Sequence, residues 1–399
     1  MTLAEADTLV SAAWAGFPLS GDEEVPLWAA AGRVLAAAAL APVDLPPFDR
    51  SLVDGWAVGA GVRAGACLRA AGAVRMGEPA PVLPAGAVMA VPTGGMLPAG
   101  TDAVVMQEAA RLGLGEVCLE GPPRSGANLI RRGEDAPRGA VLVPAGCRLR
   151  PLEVAMLAAA GVAAVRVFRQ PRVAILSSGD ELDPLGTPPG WGRVPDANGV
   201  ALAVALQRDG CIPQYLGIVP DERARLAASV RDGLAGADAL LCTGGSSVGE
   251  RDFMPAVLAE AVGAPALFTG IAIRPGRPTA AFGARGRRAV ALPGHTVSAL
   301  VVYELLLRAL VLRLGGEAVP RLPGSAAARL AVDLRAPLDR DVHARVRLQR
   351  ADDGGVPVAV PLAGSSAAVG SLALADGLVR CPAGETLAAG ALVTVRLLD

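Results

Sequence analysis

The segment Ala237-Asp-Ala-Leu-Leu-Cys-Thr-Gly-Gly-Ser-Ser-Val-Gly-Glu-Arg-Asp252 decides the fold class. Its first half, through Cys242, reads as a buried strand, and the amphipathic stretch Phe253 to Val262 that follows reads as a helix. The glycine pair Gly244-Gly245 lets the backbone turn tightly and approach a ligand with no Cβ in the way. Hydroxyls and free N–H groups near a helix start suit a phosphate or another oxyanion. Glu250 and Asp252 add hard oxygen donors of the kind Mg²⁺ takes beside a phosphate. Strand, glycine turn and helix in this order form the unit from which a doubly wound sheet is built.

The same alternation extends on both sides. Arg172 to Leu176 reads as a strand, and Asn198 as the cap of a helix that runs to Asp209. Tyr215 to Val219 is a second strand, and Asp221 caps a helix to about Leu234. After Ala239 to Cys242 and its helix come a strand at Ala289 to Leu292 and a helix from about Thr296 to Leu312. Such alternation predicts a parallel sheet with helices on both faces. The flanks differ. Residues 3–15 form an apolar helical stripe, and Asp44 to Val143 breaks into short apolar runs between Pro and Gly, a β-rich pattern. Pro151 to Ala160 is a helix stopped by Gly161. About 320 onward there are short strands again, such as Val356 to Val360 and Ala391 to Leu397. The expectation is a multidomain α/β chain: a β-rich N-terminal part (1–165), a central doubly wound parallel-sheet domain (166–318) and a small β-barrel-like domain (319–399).

Composition excludes several classes. Of 399 residues 52% are apolar, yet the longest helical candidate, Ala299 to Leu312, carries Glu304 and Arg308 and so reads as a packed helix rather than a membrane span. A net charge of −1 gives no electrostatic case for nucleic acid. No secretory signal is visible. The six cysteines (67, 118, 147, 211, 242 and 381) contain no CxxC pair, so we expect neither zinc nor a disulfide framework, and free thiols in a cytoplasmic protein. All 37 basic residues are arginine.

Chemistry converges on the strand ends. Ser177-Ser-Gly-Asp-Glu181, Thr243-Gly-Gly-Ser-Ser247 and Pro293-Gly-His-Thr296 are polar, glycine-containing turns that one sheet edge would bring together. Arg274-Pro-Gly-Arg-Pro278 adds two guanidinium groups on a stiff turn, suited to an oxyanion. Asp49-Arg-Ser-Leu-Val-Asp-Gly55 and Arg131-Arg-Gly-Glu-Asp135 are charged loops which, each taken alone, read as solvated turns.

In order along nearly the whole chain, these segments resemble those of the molybdopterin molybdenumtransferases, the molybdate insertases of molybdenum cofactor synthesis. Ser51-Leu-Val-Asp-Gly-Trp-Ala57 resembles the family's SAMDGYA, Pro92-Thr-Gly94 its PTGA, and Ile130 to Asp135 its RRRGED. Ser178 to Leu182 resembles TGDEL, Asp196-Ala-Asn198 DTN, and Gly244 to Asp252 GGVSVGxxD. Arg274 to Pro278 stands where KPGKP is usual, Leu292 to Ser298 where LPGNPVS is usual, and Gly364-Ser365 with Ser371 to Gly377 resembles GS…SLAxANG. The resemblance implies insertion of molybdate into adenylylated molybdopterin with Mg²⁺ and release of AMP. It also implies a homodimer whose cleft lies between the α/β domain of one subunit and the terminal parts of the other, with other cofactor-synthesis proteins as possible partners.

The same resemblance implies roles at matching positions. Asp54, Asp135, Glu181 and Asp252 become the acids, with Glu181 and Asp252 at the metal. Arg274 and Arg277 become anion binders, and Thr93, Gly244, Gly245, Ser247, Pro293, Gly294, His295 and Ser365 become ligand contacts. The chain departs from the family pattern at His295-Thr296, where Asn-Pro is usual, which frees the loop and restores an N–H donor. Ala197, Val53 and Trp56 are further departures. His343 sits in a charged, strand-like segment and reads as a surface residue. Two other functions are weighed against insertion. One is the adenylyltransferase that makes the adenylylated pterin, usually a lone α/β domain. The other is a non-catalytic pterin-binding scaffold, which has no need of four acids.

Overall fold

In the computed structural model all residues are described except 16–20, 189, 245–252, 352–353 and 399. The described chain separates into two compact units, one of residues 1–23 with 168–399 and one of residues 24–167.

The first unit is built on a six-stranded sheet in the spatial order Ile212–Val219, Arg172–Ser178, Ala239–Thr243, Arg287–Leu292, Ala280–Ala284, Phe268–Thr269. The first four strands are parallel. The last two pairings are antiparallel, an edge hairpin added to the expected parallel core. Ala280–Ala284 leads directly into Arg287–Leu292 through a two-residue turn at Arg285, whose φ is +53°, and Gly286. A connection that short has no room for a crossover helix, so the pairing must be antiparallel.

Alternation along Arg172–Ser178 sends Val173 and Ile175 to one face and Ala174 and Leu176 to the other. Helix Ala197–Arg208, helix Thr296–Val302 and the N-terminal helix Leu3–Ala15 cover the first face. Helices Arg223–Gly236 and Met254–Val262 cover the second. These strand residues are fully buried, so truncating Ile175 to Ala would cost about 2–5 kcal/mol. Asp196, not Asn198, caps the helix that starts at Ala197, accepting from the Gly199 N–H at 3.0 Å. The helix after Asp221 begins at Arg223 with Glu222 at its cap, while the Asp221 carboxylate accepts a hydrogen bond from the Ser178 hydroxyl.

The same unit contains a closed barrel. Strands Asp341–Gln349, Val358–Pro361, Ser325–Leu330, Leu392–Leu397 and Gly377–Cys381 pair in that order, and the last pairs back to the first. A short strand, Ile273–Arg274, adds in parallel to Asp341–Val342, so the arginine turn is hydrogen-bonded to the barrel.

The second unit holds a six-stranded sheet of strands Ala103–Met106, Gly55–Val58, Ala87–Val91, Cys67–Ala73, Glu116–Leu119 and Ala110–Leu112. The β-rich expectation for this region is met. No described helix is long and apolar enough to cross a membrane. The cysteine expectation fails at one pair. Cys67 and Cys118 face each other directly in an antiparallel register and form a disulfide, while the other four cysteines are not disulfide-bonded. Fifty-one residues separate them, so the pairing depends on strand register rather than on any local spacing.

Denaturing alkylation without reductant is therefore expected to modify four of the six cysteines, with all six modified after reduction. Loop-closure entropy assigns such a crosslink about 4 kcal/mol, so reductant should also lower the unfolding temperature of the untreated protein. Six reactive thiols without reductant would show that strand packing alone sets this register.

Candidate active site

Three neighbouring parallel strands deliver their carboxyl ends to one edge. From Arg172–Ser178 the chain proceeds to Ile212–Val219 on one side and then to Ala239–Thr243 on the other. The winding reverses between Arg172–Ser178 and Ala239–Thr243, the position at which open α/β sheets bind ligands. At this reversal Gly244 has φ +86°, and a Cβ on it would lie 1.9 Å from the Ser178 carbonyl oxygen. No side chain fits there. The third turn joins this pair, because Gly294 packs against the Gly244 Cα and its carbonyl accepts from the Asn198 amide at 2.7 Å.

These turns, the 274–278 turn and the barrel's 340–345 and 361–369 segments enclose a cleft of about 1140 Å³. It collects eight of the residues expected at the site: Glu181, Gly244, Arg274, Arg277, Pro293, Gly294, His295 and Ser365. Gly276 is required by the arginine turn, with φ +118° and a Cβ position only 2.6 Å from Val302. Gly245, Ser247 and Asp252 lie outside the described residues.

Asp54, Thr93 and Asp135 lie in the other unit, where their three loops are tied together. The Asp54 carboxylate accepts from the Thr93 N–H at 2.8 Å. Ser51 and Gly95 exchange backbone bonds with the 93–95 turn and the 49–54 loop. Asp49 accepts from the Arg131 guanidinium and the Arg132 N–H, each at 2.8 Å, which anchors the 131–135 loop. Asp54, Thr93 and Asp135 are all exposed on this cluster.

Arg274, Arg277, Arg340 and Arg345 line the cleft, against the carboxylates of Glu181 and Asp196. Arg274 makes no ion pair among the described residues, whereas Arg277 lies 3.6 Å from Asp339, which Arg340 also holds at 2.7 Å. Arg345 was not singled out from sequence, and it is the most informative side chain here. Its terminal nitrogens donate to the Gly364 carbonyl at 2.7 Å and the Ser365 carbonyl at 3.3 Å. Its Nε is buried with no partner. Burial, with the nearby Arg274 charge adding to it, pushes the Arg345 guanidinium below its ordinary value. A cation that is desolvated and repelled by another cation lowers its energy when an anion arrives.

Asn198 and His343 share this property. Among the described residues four buried side-chain atoms lack a hydrogen-bond partner, and three of them (Asn198 Oδ1, His343 Nε2 and Arg345 Nε) belong to residues lining this cleft. Native interiors leave few polar atoms unpaired, so their concentration at one cleft makes it the candidate binding site. His343 is 6% exposed, which corrects its reading as a surface residue. The acidic and basic neighbours Asp341 and Arg345 suggested solvent, but residue 343 lies on the barrel's outer face, the one whose Leu378 packs against Val297 and Val301 of helix Thr296–Val302.

As for metal donors, the exposed Glu181 carboxylate packs against Gly179 and makes no ion pair among the described residues. No described group of three acids, histidines or cysteines could itself hold a metal ion. Mg²⁺ commonly takes only one or two carboxylates, the rest being phosphate oxygens and water, so Glu181 fits as one donor of such a set.

Comparison with known proteins follows the same layout. Residues 1–161 match the family described as MoeA N-terminal region (domain I and II), 174–313 the probable molybdopterin binding domain, and 327–398 the MoeA C-terminal region (domain IV). The molybdopterin molybdenumtransferase of Synechococcus elongatus is 34% identical over 391 residues, covering 94% of each chain. The chain belongs to the molybdopterin molybdenumtransferase family. The Haemophilus influenzae member is 36% identical over 298 residues, covering 74% of this chain and 73% of that one. A molybdopterin biosynthesis MoeA protein from Pyrococcus horikoshii superposes with a TM-score of 0.80 at 32% identity, covering 100% of this chain and 99% of its own.

One prediction for this family member concerns His343. Burial dominates and pushes its imidazole down to about 4, opposed by Asp341 and assisted by Arg380 and Arg396. The folded state thus holds the neutral ring, whereas an unfolded histidine titrates near about 6.5. Stability from this site is fully present above that value and is lost as pH falls towards 4. Relative to His343→Phe, the parent should lose on the order of 3 kcal/mol more across this window. Urea unfolding at several pH values checks it, and parallel pH profiles would show that the ring is not buried in solution.

Proposed function

We propose that this protein inserts molybdate into the dithiolene of adenylylated molybdopterin and releases AMP, a late step of molybdenum cofactor biosynthesis. The observation that carries the reading is the convergence of Arg274, Arg277 and the partly unpartnered Arg345 on one cleft at the winding reversal of the sheet. Molybdate is a tetrahedral dianion, and guanidinium forks recognise such oxyanions through charge and paired N–H donors. Ser365 lies beside these groups, and the 364–365 carbonyls hold Arg345 in place. The glycine turns at 244 and 294 pack together at the strand ends, which brings backbone N–H groups to the cleft where the pterin phosphate would bind.

Glu181, with Asp252, is the proposed donor pair for Mg²⁺. The ion would neutralise charge on the phosphoanhydride. Asp54 and Asp135 complete the acids, and Thr93, Gly245 and Ser247 are further ligand contacts. The reading includes a cytoplasmic homodimer, as the family resemblance implies, in which the Asp54 and Asp135 loops of one copy serve the cleft of the other. An adenylyltransferase is not favoured, since the relative matching 94% of the chain carries the molybdenumtransferase name. The scaffold reading is separated from catalysis by experiment.

Incubation with adenylylated molybdopterin should release AMP only when both molybdate and Mg²⁺ are supplied. Replacing Arg274 and Arg277 with Ala should raise the molybdate needed for half-maximal release by about tenfold or more per residue, because a hydrogen bond to a charged group contributes roughly 1.5–3 kcal/mol. Lysine at both positions should be far milder, since only the planar fork is lost. Unaltered molybdate use by the double Ala variant would make the turn structural. AMP release without any divalent ion would remove the metal from the account.

A further inference from the structure

His295 departs from the family pattern, and its contacts suggest why the departure is tolerated. It ends the turn after strand Arg287–Leu292 and stands as the cap of helix Thr296–Val302. The ring Nδ1 lies 2.9 Å from the Ser366 hydroxyl, which belongs to the barrel's 361–369 segment on the opposite wall of the cleft. Seventy-one residues separate the two. Elsewhere the 364–369 loop is held by short-range turns and by Arg345, which binds the carbonyls of Gly364 and Ser365. The loop therefore has two ties to the rest of the cleft, one through the anion-binding arginine and one through His295.

We propose that the His295–Ser366 hydrogen bond is a strap across the cleft, making His295 a positioning residue that sets the strength of oxyanion binding by the arginine cluster. This rests on the proposed binding of molybdate there. The physical basis is preorganisation: a loop already fixed in its bound position loses less freedom when the anion arrives. Because Arg345 donates to the loop's own carbonyls, movement of residues 364–365 alters the direction in which its free Nε points. The geometry also accounts for the residue types. The side-chain amide of asparagine places a hydrogen-bonding atom close to where histidine carries Nδ1, so the family's usual Asn could make the same bond. Alanine could not.

The test uses the whole protein with molybdate alone, titrated by calorimetry, and hydrogen exchange of the 362–370 amides measured without any anion. His295→Ala and Ser366→Ala should each weaken molybdate binding roughly two- to tenfold, as expected for loss of one solvent-accessible hydrogen bond. The double variant should be no weaker than the worse single one, because both changes remove the same bond. His295→Asn should bind as the parent does. Both Ala variants should exchange the 362–370 amides faster than the parent, whereas His295→Asn should not. Unchanged exchange in the Ala variants, or additive losses in the double variant, overturns the strap. A loss confined to His295→Ala would mean that the ring contacts the anion itself, which also overturns it. A parent that shows faster loop exchange on His295→Ala yet binds no molybdate would retain the strap and refute the proposed substrate.

Discussion

The Ser178 carbonyl and the Gly244 Cα approach so closely that a methyl group on residue 244 would lie 1.9 Å from the oxygen. That single steric constraint clamps the ends of two adjacent parallel strands at the point where the winding of the sheet reverses. Helices on both faces bury alternate residues of each strand, so the strand ends cannot splay to relieve it. The turn after Leu292 packs against the same spot and is tied to Asn198. One wall of the cleft is thereby fixed by packing, before any charged group is considered.

The second wall is attached through the backbone. Pairing of Ile273–Arg274 with Asp341–Val342 sets the arginine turn beside the barrel strand that carries His343 and Arg345. Three guanidinium groups from segments distant in sequence thus face one space. The repulsion between Arg274 and Arg345, and the burial of Arg345, are tolerated because the fold elsewhere is well packed. On the proposed function, the site is held ready for an anion rather than shaped by one.

Much of this was legible in the sequence. The glycine turns after apolar runs announced both the strands and the strand-end site, and eight of the expected contacts do line one cleft. What stayed hidden depended on strand register. His343 looked like a surface group because its neighbours are charged, and Arg345 carried no signal of its own; packing of the barrel's outer face on helix Thr296–Val302 is what buries this face of the strand. Cys67 and Cys118 carry no local signature; their pairing follows from which residues two strands place opposite each other. Asn198 and Asp196 are both good cap residues, so sequence alone could not tell that Asp196 takes the cap and leaves Asn198 to reach Gly294. The antiparallel strand Ala280–Ala284 was missed because a short hairpin turn, Arg285-Gly286, carries the information that reverses the direction.

The central claim is that the cationic cleft is where molybdenum enters the pterin. Mass spectrometry of the pterin, after incubating the purified protein with its adenylylated form, molybdate and Mg²⁺, addresses it directly. The account predicts a product that has lost the adenylyl group and carries molybdenum on the dithiolene, with none formed when Arg345 is replaced by Ala. Recovery of the adenylylated pterin unchanged, or of a product lacking the metal, would contradict it.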